Sequence, residues 1–514
     1  MFKRMTAKEA AMLVKDGACV CFNGQVRAAV PELFYHELAN RFAETGSPKG
    51  LRYLAATTYD VFNVFAPYQH DGLISEIITS HYIGMRSCHP AILKGNIAAY
   101  SLPQGVLCMN YEAAAARQPG FLTKVGLKTF LDPRYGGSGL NEKSTKQFCE
   151  PCVVDGEEYL FFRTIYPDVC VLRGTTCDPH GNITMEREAG IMDTVSIATA
   201  VHNNGGTVIV QVERFSDQYA NPHDVRIPGF LVDVVYEDPD QMMMDGCAYN
   251  PIYAGESRVP EEEFPQLVDD LLKANSARRK PADMVVAKRA AMEVTPECRI
   301  LNLGVGIPIM LGMVAYKCGR LTEDMSITLE CGVGGGMPLG TIFALVNNPD
   351  VFMEQASMFR LYEGGGIDLT AIGALEIDKD GNINVLRKGN LIPGIGGFNH
   401  TTFGAKTIVV CSRFMAGSDV SEENGKLVFK DGHASKFCEK VDYINMNAEV
   451  MRAEKKRVIY VTERCVFQLC ETGLELIEIA PDLDLEQDVL AKIPFSVKIA
   501  DNLKVMPRDC FIQD

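Results

Sequence analysis

One carboxylate, Glu330, stands between a short β-branched run and a glycine-rich loop: Ser326–Pro338 reads S-I-T-L-E-C-G-V-G-G-G-M-P. The pattern predicts a strand ending in a turn, where glycines let backbone N–H groups come close to a ligand. A carboxylate held there can act as a covalent nucleophile, although the same residues also describe a solvated glutamate in a tight turn. The next residue, Cys331, offers a thiol as a rival. Thiol nucleophiles need a base, usually histidine, and none of the nine histidines lies close in sequence, His400 being the nearest to a motif. Adjacent strand residues also point to opposite faces, so Cys331 reads as a passive buried thiol.

The elements that must position Glu330 are set by a chain of 514 residues, long enough for two or three domains. A composition of 47% hydrophobic and 23% charged residues is that of a folded soluble protein, and a formal net charge of -16 argues against non-specific binding to nucleic acid or anionic membrane. No apolar run is long enough to span a bilayer. Near the N-terminus Lys8, Glu9 and Lys15 interrupt any signal-peptide core; Thr6 followed by Glu9 predicts a capping box opening an amphipathic helix. Seventeen cysteines in so large a chain are expected to stay reduced. The single C-x-x-C, Cys149 to Cys152, has no partner at zinc spacing. The expectation is a cytoplasmic protein without a metal.

An internal repeat sets the architecture. Asp178-Pro-His-Gly-Asn-Ile183 returns two hundred residues later as Asp378-Lys-Asp-Gly-Asn-Ile383, and Thr207-Val-Ile-Val210 returns at the same offset as Thr407-Ile-Val-Val410. The first pair reads as a tight turn and the second as a buried strand of a parallel sheet. Val20–Gly24 leading to Pro31 likewise parallels Ile300–Gly304 leading to Pro308. Gly255–Pro260 and the acidic Glu261–Glu263 read as a surface connector, and Leu267–Leu272 and Ala282–Glu293 as helices. The expected fold class is α/β: two similar open domains with largely parallel sheets, fused as an internal duplication. Their expected extents are residues 1–255 and 280–514.

With these halves in hand, the chain resembles the family I CoA-transferases of the single-chain propionate/acetate type. The resemblance rests on S-L-P-Q-G-V (Ser101–Val106), R-G-T-T-C-D-P-H-G-N-I-T (Arg173–Thr184), N-L-G-V-G-I-P (Asn302–Pro308), G-G-G-I-D-L (Gly364–Leu369) and G-I-G-G-F (Gly394–Phe398), in shared order over most of the sequence. It implies that Glu330 attacks a short-chain acyl-CoA, passes through a mixed anhydride to a glutamyl-CoA thioester, and hands CoA to a second carboxylate by a ping-pong route. Coenzyme A is then a substrate, with no permanently bound cofactor. The resemblance also implies that Gln104 gives a side-chain N–H to the tetrahedral oxyanion. Gly396 or Gly397 would add a backbone N–H, the family match not saying which. Gly304 and Gly306 would lie beside the CoA site, and Gly334 and Gly335 would let the chain pass close to pantetheine. The expected partners are acyl-CoA and small carboxylic acids, with no nucleic acid and no membrane, in a homodimer or homotetramer.

Two segments depart from the family pattern. Gln25 stands where an aromatic residue is usual and Arg27 where glycine is common; Thr57–Gln69 carries Tyr59, Phe62, Phe65 and Tyr68, which line either a larger acyl pocket or ordinary core. They leave the acid open. Two other functions also stay open: a carrier-linked transferase like the α subunits of citrate lyase or malonate decarboxylase, and a non-catalytic CoA-binding protein.

Overall fold

β-Branched runs that precede glycine turns become the inner strands of two separate sheets in this computed structural model, which describes residues 2–57, 62–68, 71–244 and 246–512. The first sheet uses β1 (Lys3–Arg4), β2 (Cys19–Phe22), β3 (Leu51–Ala55), β4 (Ile74–Thr79), β5 (Ala98–Ser101), β6 (Val169–Cys177), β7 (Thr207–Phe215) and β8 (Val234–Glu237). Their order is β1-β8-β7-β6-β2-β3-β4-β5, and every neighbouring pair is parallel. The inner strands are covered on both faces, which is why they are mostly apolar, whereas edge strand β1 is the exposed pair Lys3–Arg4.

The second sheet begins with β9 (Ile300–Leu303), β10 (Ser326–Leu329), β11 (Val333–Gly334), β12 (Val351–Phe352) and β13 (Ile367–Ile372). It continues with β14 (Ala405–Cys411), β15 (Arg457–Val461), β16 (Cys465–Cys470), β17 (Gly473–Ile479) and β18 (Lys498–Val505). The order is β12-β11-β10-β9-β13-β14-β15-β16-β17-β18, with a parallel centre from β10 to β15. The run β7-β6-β2-β3 of the first sheet is matched by β14-β13-β9-β10 of the second. The repeated D-x-x-G-N motif forms the same turn twice. Asp178 accepts the N–H groups of His180 and Asn182, as Asp378 accepts those of Asp380 and Asn382; each Asn returns a side-chain N–H to its Asp at 3.0 Å.

The sheets part company after β3 and β10, the last strands of the matched runs. β3 is followed by two more parallel strands, whereas β10 turns straight back into antiparallel β11 with Leu329 opposite Val333. Glu330, Cys331 and Gly332 are left as the hairpin turn. Gly332 has a φ of +87°, and a Cβ there would lie 2.0 Å from the Met353 carbonyl oxygen, so the turn needs glycine.

Thr6 and Glu9 form the expected capping box. The two helices expected over residues 267–272 and 282–293 run from Phe264–Ser276 and Pro281–Ala291. The connector is exposed over residues 255–258, as expected for a surface segment, yet it is anchored. Arg258 pairs with Asp350, the Val259 N–H donates to Asn348, and Met244 and Tyr253 upstream join an apolar cluster with Leu329 and Cys331. Tyr59, Gln69 and the side chain of Phe62 lie outside the described residues; Phe65 is buried and Tyr68 packs edge-on against Phe42, both as parts of the core. Among the described residues no helix is long and apolar enough to cross a membrane.

Candidate active site

Five helices aim at the β10–β11 turn or its surroundings: α1 (Gln104–Ala115), α2 (Thr194–Asn203), α3 (Ile307–Lys317), α4 (Gln355–Glu363) and α5 (Phe398–Gly404). Glu330 is buried at the turn, with one carboxylate oxygen, Oε2, lacking a partner among the described residues. Burial pushes its carboxyl up to about 7, while hydrogen bonding from its own backbone and from Asn302 pulls the other way. A group poised there can be ionised at neutral pH without being stabilised as an inert ion.

Gln104 is the first residue of α1, and its backbone N–H donates to the Gly396 carbonyl at 2.9 Å, tying the first half to the glycine turn of the second. Its Nε2 reaches the backbone oxygen of Glu330 at 3.4 Å. Gly397 opens α5 directly against the nucleophile candidate: a Cβ there would fall 2.7 Å from Glu330 Cγ and 3.1 Å from Oε1. The two glycines, not told apart in the sequence, differ in what their backbone N–H groups meet. The Gly396 N–H donates to Ser80 at 2.9 Å, whereas that of Gly397 has no partner among the described residues.

Two cavities meet at Glu330. One, about 490 Å³, runs between the halves past Gln25, Val26, Arg27, Arg86, Phe343 and Gly396. The other, about 360 Å³, runs along the second half past Asn302, Gly304, Gly373, Val385 and Phe398. Ile83 and Val305 line both, yet they are 54% and 60% exposed, apolar surface that a ligand could cover. Arg27 is exposed, and it stands on the wall of the larger cavity.

The glycines of the expected CoA site divide. Gly304 lines the smaller cavity, but its N–H extends the sheet by donating to Ala371 at 2.9 Å. Gly306 immediately precedes α3 with a φ of +105°, and the Arg279 guanidinium lies about 3.9 Å from where its Cβ would be. Gly334 and Gly335 are not brought to either cavity. A Cβ on Gly334 would lie 3.0 Å from Val351, and one on Gly335 would overlap Asp350, so these glycines let β12 pack closely on β11.

Asn302 escaped the sequence reading although it opens a quoted motif. Buried in β9, it donates to Thr328 at 3.2 Å and to the Tyr362 hydroxyl at 3.3 Å, and it lines the smaller cavity. A buried polar residue at the end of an apolar strand was the available signal. Gln355 was also missed; nothing in the sequence sets it beside Gln104. Cys331 is fully buried, and burial pushes its thiol up to about 12. His400 instead packs on Phe359 and the α1 backbone at Gly105, with burial pushing its ring down to about 3. All seventeen cysteines are free thiols. Among the described residues no group of three or more His, Cys, Asp or Glu could hold a metal ion.

A family model for coenzyme A transferase matches residues 4–238. The chain is 35% identical to the caffeate CoA-transferase of Acetobacterium woodii, over 99% of this chain and 98% of that protein. It is 34% identical to the acetate CoA-transferase YdiF of Escherichia coli strain K12, over 99% of this chain and 95% of that protein. A crystal structure of the acyl-CoA transferase YdiF from Escherichia coli O157:H7, a thioester complex with CoA, superposes with a TM-score of 0.91 at 33% identity, covering 99% of this chain and 96% of that one.

Proposed function

We propose that this chain, which belongs to the coenzyme A transferase family, moves CoA from a short-chain acyl-CoA to a free carboxylate through a thioester on Glu330. The observation that carries the reading is a buried carboxylate at the junction of two cavities, flanked by Gln104 and by the N–H of Gly397, which has no partner among the described residues. Glu330 attacks the thioester carbonyl, breaking the C–S bond and releasing CoA thiolate, which leaves a mixed anhydride. The thiolate then attacks the glutamyl carbonyl, releasing the free acid and leaving glutamyl-CoA. A second carboxylate runs the two steps in reverse. Both intermediates stay activated, so no other energy source is needed, and burial keeps out the water that would hydrolyse them.

Each step passes through an oxyanion, for which preorganised donors are worth about 10²–10³ in rate. Gln104 and Gly397 are the donors in this reading, with the turn before α3 and Arg279 receiving phosphate groups of CoA. The division into residues 1–255 and 280–514 belongs to the same proposal, supported by the two matched sheets. The larger cavity, about 490 Å³, exceeds what an acetyl group fills and favours a second reading for the acid alone, a bulkier or aromatic carboxylate.

Intact mass after incubation with acetyl-CoA, beside a Glu330→Gln variant, tests the reaction. The expected result is gain of one CoA less water in the wild type, absent in the variant and removed by hydroxylamine or added acetate. Gain of an acyl group alone, retained in the variant, would overturn it in favour of a thiol nucleophile. A panel of aliphatic and aromatic acids as acceptors then decides the acid.

A further inference from the structure

Three buried glutamines, far apart in sequence, close on one another beside Glu330. Gln25 comes from the loop after β2, Gln104 from the first turn of α1 and Gln355 from the first turn of α4. Gln104 Nε2 donates to Gln25 Oε1 at 3.0 Å and to Gln355 Oε1 at 3.1 Å, and it also faces the Glu330 backbone oxygen at 3.4 Å. Gln355 Nε2 donates in turn to Gln25 Oε1 at 3.2 Å, and the Cys108 thiol donates to Gln355 Oε1 at 3.5 Å.

A glutamine amide carries two donors at one end and acceptors at the other, and turning it end for end changes its shape very little. A lone glutamine beside an oxyanion would therefore present oxygen as readily as nitrogen. Here that turn would set Gln104 Oε1 against three other oxygens. The backbones that carry Gln25 and Gln355 are themselves fixed. The Gln25 backbone is held by paired hydrogen bonds with Ala28 at 3.0 and 2.9 Å, and the Gln355 N–H donates to Met192 at 3.3 Å. Three oxygens also share two Gln104 hydrogens, so one hydrogen can pass to a developing oxyanion while the other holds the amide in place. A charged acceptor wins that exchange, since hydrogen bonds to ions are about twice as strong as neutral ones.

We propose that Gln25 and Gln355 are positioning residues for the transfer reaction: they hold the Gln104 amide with its nitrogen end toward Glu330. The inference rests on the Glu330 reading above. It gives Gln25, which stands where the family usually has an aromatic residue, a part in the rate of the reaction besides its place on the cavity wall.

The test uses full-length Gln25→Met and Gln355→Met, each alone and combined with Gln104→Ala. The readouts are rapid-quench CoA uptake, kcat and KM for the acid, and the thermal midpoint. Each single variant should lose about tenfold in kcat with KM moving less than about threefold, and should add less than about twofold in the Gln104→Ala background. Gln355→Glu should keep most of the rate, because its protonated carboxyl still accepts from Gln104 and donates to Gln25. Equal losses with and without Gln104, unchanged kcat, or Gln355→Glu no better than Gln355→Met would overturn the positioning role. If the wild type itself takes up no CoA, the Glu330 reading falls and this inference with it, a failure distinguishable from the others.

Discussion

Asp193 and Glu354 cap each other's helices across the two halves. Asp193 directly precedes α2 but accepts the Ala356 N–H of α4 at 3.0 Å, while Glu354 directly precedes α4 but accepts the Val195 N–H of α2 at 3.0 Å and the Ser196 hydroxyl at 2.8 Å. Neither caps its own helix. The N–H groups at a helix start need acceptors, and here each half supplies the other's. The exchange sits one residue before Gln355, so it fixes where α4 enters the crevice beside Glu330.

Glu354→Ala should cost about 1 kcal/mol of stability, the usual worth of an N-cap, read as a lower thermal midpoint. It should also change the pH dependence of stability. Burial, and then Glu354, push the Asp193 carboxyl up to about 7. A folded carboxyl above its unfolded range binds protons more readily in the folded state, so stability falls as pH rises from the unfolded carboxylate range to about 7. Removing Glu354 should shallow that fall. An unaltered slope and midpoint would show that the caps carry no energy.

The first half-reaction should titrate with Glu330. Its ionised form is the proposed nucleophile, and with the carboxyl at about 7 the rate of CoA uptake should level off above that pH. Below it the rate should fall about tenfold per pH unit. Single-turnover uptake from about pH 5 to about pH 8 reads this directly. A flat profile down to pH values near 5 would mean that Glu330 is ionised throughout, or that another step sets the rate.

Gly397→Ala should be folded and slow. Its added methyl would press on Glu330 Cγ, moving the carboxylate and the N–H beside it. A loss of about 10²–10³ in kcat is expected, the usual worth of one oxyanion donor. Circular dichroism and the thermal midpoint would show whether the fold survives; a rate within a few-fold of wild type would remove Gly397 from the site.

Cys331→Ala should transfer CoA at nearly the wild-type rate. With its thiol pushed up to about 12, thiolate is negligible at neutral pH. The cost should appear in stability, because the side chain packs among Leu329 and Val333. CoA uptake lost along with Cys331 would reinstate the thiol as nucleophile.

Glu330 was legible because a lone charge between an apolar run and glycines is a local pattern, and the doubled D-x-x-G-N turn gave away the duplicated sheets. Glycine was legible only as a need for closeness, not as closeness to what. Gly397 meets Glu330, but Gly334 and Gly335 meet Val351 of the neighbouring strand and Asp350 just before it. Gln25, Gln104 and Gln355 could not be joined in advance, since 79 residues separate the first two, more than two hundred separate either from Gln355, and only the docking of the halves brings Gln355 to them. Asn302 was not legible because a single Asn within an apolar strand run says nothing of the cavity that its side chain lines.

The anchored connector, with Arg258 on Asp350 and Tyr253 in the cluster beneath the catalytic turn, has a consequence for how the crevice survives dilution. Gln25 and Gln104 belong to one half and Glu330 to the other, so two unlinked chains would assemble this crevice only as fast and as often as they meet. A short tether sets the local concentration of one half around the other at about the millimolar level. The catalytic crevice thus becomes a property of each molecule, independent of how many copies the solution holds.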